Sequence, residues 1–284
     1  MNLEISYIKP ATHAEASSVL SGNLFARIIA GGSDLIVKWK NGLFPDLTHL
    51  VDLSYLGLNK IEKTANSIKI GALCKMRELT ENPLLITHFP ALVSAANQVG
   101  APQIRETATI GGNVANASPA GDTIPPLIGL DAKVHISGPD SASREVDLKD
   151  FITAPGKTVL KPGEFITCFE LPLRKTQGYF TKLGERRAHA ISKISAAVSS
   201  WLNADGTTSF SIALGSVGPK VIRASEAEKV ISGTKQPPSE ELIETASQKA
   251  CEAVTPIDDI RSTAKYRREM AKVLVSRSLR QIIK

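Results

Sequence analysis

Two short segments rich in glycine combine backbone and side-chain groups that can bind a ligand. The first reads IIAGGSDL over residues 28–35, and the second reads TIGGNVANASPAGD over residues 109–122. Glycine allows a positive φ angle and close backbone approach, so consecutive N–H groups can point at one anion. Ser33 and Asn113 add short hydrogen-bonding side chains, whereas neither segment contains Lys or Arg. The pattern indicates either a phosphate held mainly by backbone N–H groups, with Arg105 the nearest basic residue in sequence, or ordinary glycine turns and bulges.

The familiar nucleotide-binding motifs do not account for these segments. No G-x-G-x-x-G fingerprint of a dinucleotide-binding βαβ unit occurs. FITAPGKT, residues 151–158, ends like a P-loop, but Phe151 stands where that motif requires its first glycine, so an ordinary loop is predicted. Asp122, in DTIPPLIGL, also has the position of an N-cap before a short helix with an early proline.

The cysteines and histidines predict no metal site on this chain. The three cysteines, Cys74, Cys168 and Cys251, are far apart and show no C-x-x-C spacing, and the five histidines show no zinc-ligand spacing. Neither a disulfide framework nor a cysteine-bound cluster is therefore predicted. We nominate no catalytic base or nucleophile either.

The net charge of +6 is concentrated at the C-terminus. Residues 261–284 contain eight Lys or Arg and one Glu, so the rest of the chain is close to neutral. Apolar residues recur there at roughly helical spacing, which favours a packed amphipathic helix with a solvated basic face. An acidic protein partner is the second interpretation. Nucleic-acid binding is not predicted, because aromatic and basic residues do not interleave.

The 284 residues are enough for more than one domain. A β-α-β pattern opens the chain, with a helix over residues 14–20 and a strand over residues 26–30. After residues 172–177 the pattern changes to strands separated by the turn signal NADG, followed by helices over 240–253 and 263–283. An α+β second domain is therefore predicted. No apolar run reaches the roughly 20 residues of a membrane span, and no secretory signal is recognised, so we expect a cytoplasmic protein without a membrane span.

Four motifs in order resemble the FAD-binding medium subunit of molybdenum hydroxylases, the family of carbon monoxide, xanthine and nicotinate dehydrogenases. They are AGGSDL followed by THLVDLSYL, then TIGGNVANASPAGDTIPPLIGLDA, then GEFITCFELP, and finally YFTKLGERRAHAISKISAAV. Together they extend over nearly the whole chain, which makes the resemblance far more specific than either glycine segment alone.

The resemblance implies an α+β protein with an FAD-binding region of the vanillyl-alcohol-oxidase (PCMH) type. This region would cover residues 1–174, with subdomains at about 1–55 and 56–174, and residues 175–284 would form a domain with a three-stranded antiparallel sheet and helices. The FAD diphosphate would lie near the glycine segments, with Val99 beside Gly100 upstream, and His189 replaces an Asp that contacts the cofactor in many relatives. The implied cofactor-binding residues are Ile28, Ile29, Ala30, Gly31, Gly32, Ser33, Asp34, Leu35, Gly100, Thr109, Gly112, Asn113, Asp122, Phe165, Ile166 and Lys182.

The implied function is an electron-transfer subunit of an oxidoreductase. FAD would pass electrons from iron–sulfur clusters to NAD or another acceptor, while molybdopterin and the 2Fe-2S clusters would be on a large and a small partner subunit, in a dimer of heterotrimers. Two alternatives stay open on the residues alone. One is a self-sufficient FAD-dependent oxidase or dehydrogenase of the same fold, and the other is a non-catalytic nucleotide-binding scaffold.

Overall fold

The first sheet of the protein is small and parallel. The computed structural model describes residues 5–186 and 189–283. The first segment contains β1 (Ser6–Ile8), α1 (His13–Gly22), β2 (Ala26–Ile29), α2 (Leu35–Lys40) and β3 (His49–Asp52). Strand β3 lies between β1 and β2 and is parallel to both. Helix α1 begins after Thr12, whose hydroxyl accepts a hydrogen bond from the Glu15 N–H, as an N-cap residue does.

The second sheet has five strands in the order β4-β5-β10-β6-β7, all antiparallel to their neighbours. Helices cover one of its faces, and Ile68, Leu92 and Phe169 are among the fully buried residues between them. This segment contains β4 (Ile61–Lys63), β5 (Ser67–Gly71), α3 (Met76–Glu81), α4 (Pro83–His88), α5 (Pro90–Asn97), α6 (Pro102–Arg105), α7 (Ile110–Ala115), α8 (Ile124–Gly129), β6 (Lys133–Ser137), β7 (Ser143–Asp147), α9 (Leu148–Phe151), β8 (Ile152–Ala154), β9 (Lys157–Thr158) and β10 (Phe165–Pro172).

The third sheet is antiparallel and packs against the C-terminal helices. Its segment contains β11 (Gln177–Leu183), β12 (Ile194–Leu202), β13 (Thr208–Gly215), β14 (Ile222–Arg223), α10 (Ser225–Ile231), α11 (Glu240–Glu252) and α12 (Ala264–Ile283). The strand order is β11-β12-β13-β14. Ile212 and Leu214 of the sheet and Leu274 and Leu279 of α12 are buried in one hydrophobic cluster.

Helix α8 packs between the core of the second sheet and the third sheet. All six of its residues are buried, and it packs against β12 and β13. One acidic residue on each side of α8 binds Lys or Arg side chains that follow β10 in the sequence. Asp122 pairs with Lys182, and Asp131 pairs with Arg174 and Arg223. The helix is thus held at both ends to the C-terminal part of the chain.

The structure confirms most elements that the sequence predicts. The opening β-α-β pattern, the NADG hairpin and the two C-terminal helices are all present. The three long strands of the predicted C-terminal sheet are joined by the two-residue β14. The capping prediction for Asp122 is wrong, because Thr123 is the N-cap of α8 and the Asp122 carboxylate binds Lys182 instead. The P-loop-like residues 157–158 form β9 of a short hairpin.

The C-terminal helix α12 uses part of its positive charge within the chain. Arg280 binds the carboxylates of Glu240 and Glu244 on α11. Arg267 is 5% exposed and pairs with Asp259. The predicted packed amphipathic helix is confirmed, and its basic face is partly paired with acidic side chains. Among the described residues, no helix has both the length and the apolar composition that crossing a membrane requires.

Candidate functional site

The first glycine segment turns sharply between β2 and α2. Gly32 has a φ angle of +65°, in the left-handed region that favours glycine. A Cβ atom on Gly31 would lie 1.9 Å from the carbonyl oxygen of Thr107. The segment therefore needs both glycines, one for its backbone conformation and one for its close approach to residue 107.

The backbone N–H groups of residues 31–35 have no hydrogen-bond acceptor in the part of the chain that the structure describes. Within residues 5–186 and 189–283, none of these five groups donates a hydrogen bond to a protein acceptor. The carbonyl groups of Gly32 and Asp34, in contrast, accept bonds from Ile36 and Lys38 in the first turn of α2. Consecutive free N–H groups on a tight turn form a concave site that suits an anion.

The second glycine segment faces the first but offers different groups. Its N–H groups are already paired: Gly111 donates to the Ala72 carbonyl at 2.8 Å, and Gly112 donates to the Thr109 hydroxyl at 3.1 Å. The Asn113 Oδ1 atom accepts a hydrogen bond from the Thr123 hydroxyl at 2.7 Å, and this bond does not use the N–H donors of the Asn113 amide. This wall therefore presents side chains and an exposed Gly112 surface, whereas the first wall presents free N–H groups.

A cavity of about 410 Å³ lies between the two segments, and we call it the glycine cavity. Its volume is in the range typical of small-ligand sites. Ile29, which was also predicted, is a partly buried residue of β2 and does not line it. Twelve of the predicted site residues line this cavity, namely Ile28, Ala30, Gly31, Gly32, Ser33, Asp34, Leu35, Thr109, Gly112, Asn113, Phe165 and Ile166.

Two basic residues that the sequence reasoning missed also line the glycine cavity. They are Arg27 on β2 and Lys38 on α2. The Lys38 ammonium binds the Asp34 carboxylate at 2.7 Å, an i,i+4 pair that helical spacing alone could have suggested. Arg105, the basic residue nearest in sequence, instead lies at a second cavity, where it donates hydrogen bonds to the carbonyls of Val99 and Gly100.

This second cavity of about 710 Å³ contains Lys182 and is called the Lys182 cavity. Gly100 and His189 also line it. Val99 and Ile104 line the glycine cavity, while their neighbours Gly100 and Arg105 line the Lys182 cavity. The two cavities therefore adjoin along residues 99–105.

Lys182 and Asp122 form a buried ion pair beside the Lys182 cavity. Their side chains are only 10% and 9% exposed, and the Nζ and Oδ2 atoms are 2.6 Å apart. The Lys182 ammonium also donates to the Gln98 carbonyl at 2.8 Å. Burial raises the pKa of Asp122 to about 6 even though the lysine charge acts in the opposite direction. The second carboxylate oxygen, Oδ1, is buried without a partner among the described residues, and Asp122, although a predicted site residue, lines neither of the two cavities.

Two family models together cover almost the whole chain and give the class of protein. Residues 3–174 match the family described as the FAD binding domain in molybdopterin dehydrogenase, and residues 179–282 match the CO dehydrogenase flavoprotein C-terminal domain. The chain belongs to this family of FAD-binding dehydrogenase subunits, which are oxidoreductases.

Individual relatives match over almost their full length. The glyceraldehyde dehydrogenase medium chain of Sulfolobus acidocaldarius is 32% identical over 98% of both chains. The carbon monoxide dehydrogenase medium chain of Afipia carboxidovorans is also 32% identical, over 96% of this chain and 94% of the relative. A chain of the reconstituted CO dehydrogenase from Oligotropha carboxidovorans superposes with a TM-score of 0.91 at 29% identity, covering 99% of this chain and 98% of that one. The predicted family and fold class are confirmed.

Proposed function

We propose that this chain carries FAD across the two adjoining cavities and transfers electrons within a multi-subunit molybdenum hydroxylase. The observation that carries the proposal is the run of five N–H groups over residues 31–35 that have no acceptor among the described residues, in a segment that lines a cavity of about 410 Å³. A diphosphate fits this arrangement, because its oxygens accept hydrogen bonds from several N–H groups at once.

In this proposal the diphosphate lies in the glycine cavity. Residues 30–35 bind it through backbone N–H groups and the Ser33 hydroxyl, while Thr109 and Asn113 bind from the opposite wall. The exposed surface of Gly112 leaves room for the cofactor. Ile28, Phe165 and Ile166 contribute the apolar part of the wall. Ile29 packs behind this segment.

The flavin end occupies the Lys182 cavity in the same proposal. Gly100 and Lys182 line that cavity, and the Asp122 carboxylate binds the Lys182 ammonium from behind the lining. A cation at this position favours the reduced, anionic form of a flavin by Coulomb attraction. Bound FAD would supply the redox chemistry, accepting and releasing two electrons. The chain's own residues bind and orient it, and none acts as a general base or nucleophile.

The proposal extends to the partners and to the path of the electrons. Two of the relatives above are medium chains of dehydrogenases, which supports one subunit among several. We propose that a large molybdopterin subunit oxidises the substrate and a small subunit passes electrons through 2Fe-2S clusters to FAD, in a dimer of heterotrimers. NAD or another acceptor then takes the electrons from this chain.

We also propose the division of the chain into domains. We place a domain boundary at residues 174/175, between β10 and β11, and divide the FAD-binding region near residue 55. The supporting observation is that the three main sheets use separate segments, residues 6–52, 61–172 and 177–223. The cytoplasmic location stays a prediction from the sequence.

Spectroscopy and electron transfer with purified protein test the proposed function. We expect a yellow protein with a flavin absorption spectrum and one FAD per chain. We expect it to pass electrons from NADH, or from another reductant, to a dye without oxidising an organic substrate. A colourless protein that FAD cannot reconstitute would contradict the proposal. Substrate oxidation by this chain alone would instead show a self-sufficient flavin enzyme, and full FAD binding without any electron transfer would show a scaffold.

A further inference from the structure

Lys38 connects the two walls of the glycine cavity. Its ammonium lies 2.7 Å from Asp34 Oδ2 on the first wall and 2.5 Å from Asn116 Oδ1 at the end of α7 on the second. Asn116 is 78 residues away in sequence, so only the folded chain brings these groups together. The Lys38 side chain is 36% exposed and lines the cavity.

The ammonium of Lys38 has a donor left for a ligand. An ammonium carries three N–H donors, and Asp34 and Asn116 accept two of them. Arg27, the other basic residue that lines this cavity, donates from Nη1 to the carbonyls of Leu24 and Ala26 and lies 5.4 Å from the centre of the Phe44 ring. Lys38 is therefore the cation that contacts both walls of the cavity.

The charges on the first wall explain why such a cation is needed. The Asp34 carboxylate also lines the glycine cavity and would repel a diphosphate. Lys38 offsets that charge directly through its 2.7 Å ion pair. The free N–H groups of residues 31–35 contribute only partial charges, so the ammonium is the full positive charge closest to them along α2.

We propose that Lys38 binds the diphosphate of the cofactor, with Asn116 as a positioning residue that holds the ammonium over the cavity. The inference rests on the proposed function, because it takes FAD as the occupant of the glycine cavity. It assigns a charge-assisted contact to a lysine that lies outside the glycine motifs. Such contacts are stronger than neutral hydrogen bonds and weaken as salt is added.

Titration of FAD into the deflavinated protein tests this inference without any enzymatic assay. The dissociation constant of FAD is measured by flavin fluorescence for the wild type, Lys38→Gln and the control Lys40→Gln, at low and at high salt. Lys40 is exposed on the same helix and does not line the cavity, so its loss changes the net charge equally. We expect roughly tenfold weaker binding for Lys38→Gln, with a smaller salt dependence, and less than twofold weaker binding for Lys40→Gln.

A second pair of variants separates charge from position. Asn116→Ala keeps the ammonium but removes one acceptor that holds it, and we expect a loss of binding between those of the wild type and Lys38→Gln. Lys38→Arg keeps the charge and should retain most of the affinity. Equal affinity of Lys38→Gln and the wild type, or equal losses for the Lys38 and Lys40 variants, would overturn the inference. Failure of the wild type itself to bind FAD would instead overturn the proposed function.

Discussion

Gly112→Val is the substitution that most directly blocks the proposed diphosphate site. Apart from the backbone of α7 itself, a Cβ atom at position 112 would meet only the Thr109 hydroxyl oxygen, at 3.0 Å. The added methyl groups would therefore extend into the glycine cavity rather than into the core. Valine also has a somewhat higher helix propensity than glycine, so α7 itself should not be destabilised.

The size of the effect follows from the space that the cofactor would lose. Inserting extra methyl groups into a closely packed site costs about 1–3 kcal/mol. This cost corresponds to a dissociation constant for FAD that is roughly 5- to 150-fold higher. Thermal unfolding of the FAD-free protein should change little, because the substitution adds atoms only to the cavity.

Equilibrium titration with FAD and the thermal unfolding of FAD-free protein are the two assays. Gly22→Val is the matched control, because a Cβ atom at Gly22 meets nothing within 4 Å and this residue, at the end of α1, does not line the cavity. Full FAD occupancy in Gly112→Val at the wild-type dissociation constant would refute the placement of the cofactor beside residue 112. Loss of folding in Gly112→Val would refute the claim that its side chain enters open space.

Three further predictions concern the framework around the two cavities. Gly31→Ala would place a Cβ atom 1.9 Å from the Thr107 carbonyl, so we expect both a lower melting temperature and loss of FAD binding, measured by thermal unfolding and titration; unchanged values would contradict the close approach. Burial raises the pKa of Asp122 to about 6 from an ordinary value of 3.8, so its contribution to stability is fully present below pH 3.8 and is lost as pH rises through 6. When the pH is lowered from 7 to 4, the free energy of unfolding of the wild type should therefore rise by about 2 kcal/mol relative to that of Asp122→Asn, as measured by denaturant unfolding. A change of the opposite sign would show that the ion pair with Lys182 dominates. Asp131→Asn removes the charge that two arginines share and keeps a residue type that tolerates the φ angle of 58° at this position. Because the carboxylate is 43% exposed, we expect a loss of only about 1 kcal/mol in the free energy of unfolding, against less than 0.5 kcal/mol for the exposed control Glu226→Gln. An equal loss in both variants would argue against a role for Asp131 in holding α8.

The glycine segments could be predicted as a pair because the order of the four motifs identifies the family. The positive φ angle of Gly32 belongs to a local turn, whereas Gly31 is required by the Thr107 carbonyl, 76 residues away in sequence. The sequence could not show which N–H groups are free. At the second segment the N–H groups of Ile110 and Gly111 are paired with the carbonyls of Cys74 and Ala72, and those partners come into reach only in the folded chain.

The basic residues of the site illustrate the same limit. Arg105 is close to the second glycine segment in sequence, but α6 directs it to the Lys182 cavity. Lys38 reaches the glycine cavity because α2 follows the turn at residues 30–34 and approaches the end of α7. The sequence predicts Lys182 and Asp122 separately as cofactor-binding residues, whereas their direct ion pair depends on the folded chain, in which β11 packs against α5 and α8 packs against β12 and β13.

Determining the structure of the protein with FAD bound tests the central claim most directly. We expect the diphosphate oxygens to lie within hydrogen-bonding distance of the N–H groups of residues 31–35. We also expect the flavin ring to lie in the Lys182 cavity. A diphosphate bound away from residues 31–35, or a flavin ring remote from Lys182, would overturn the proposed position of the cofactor.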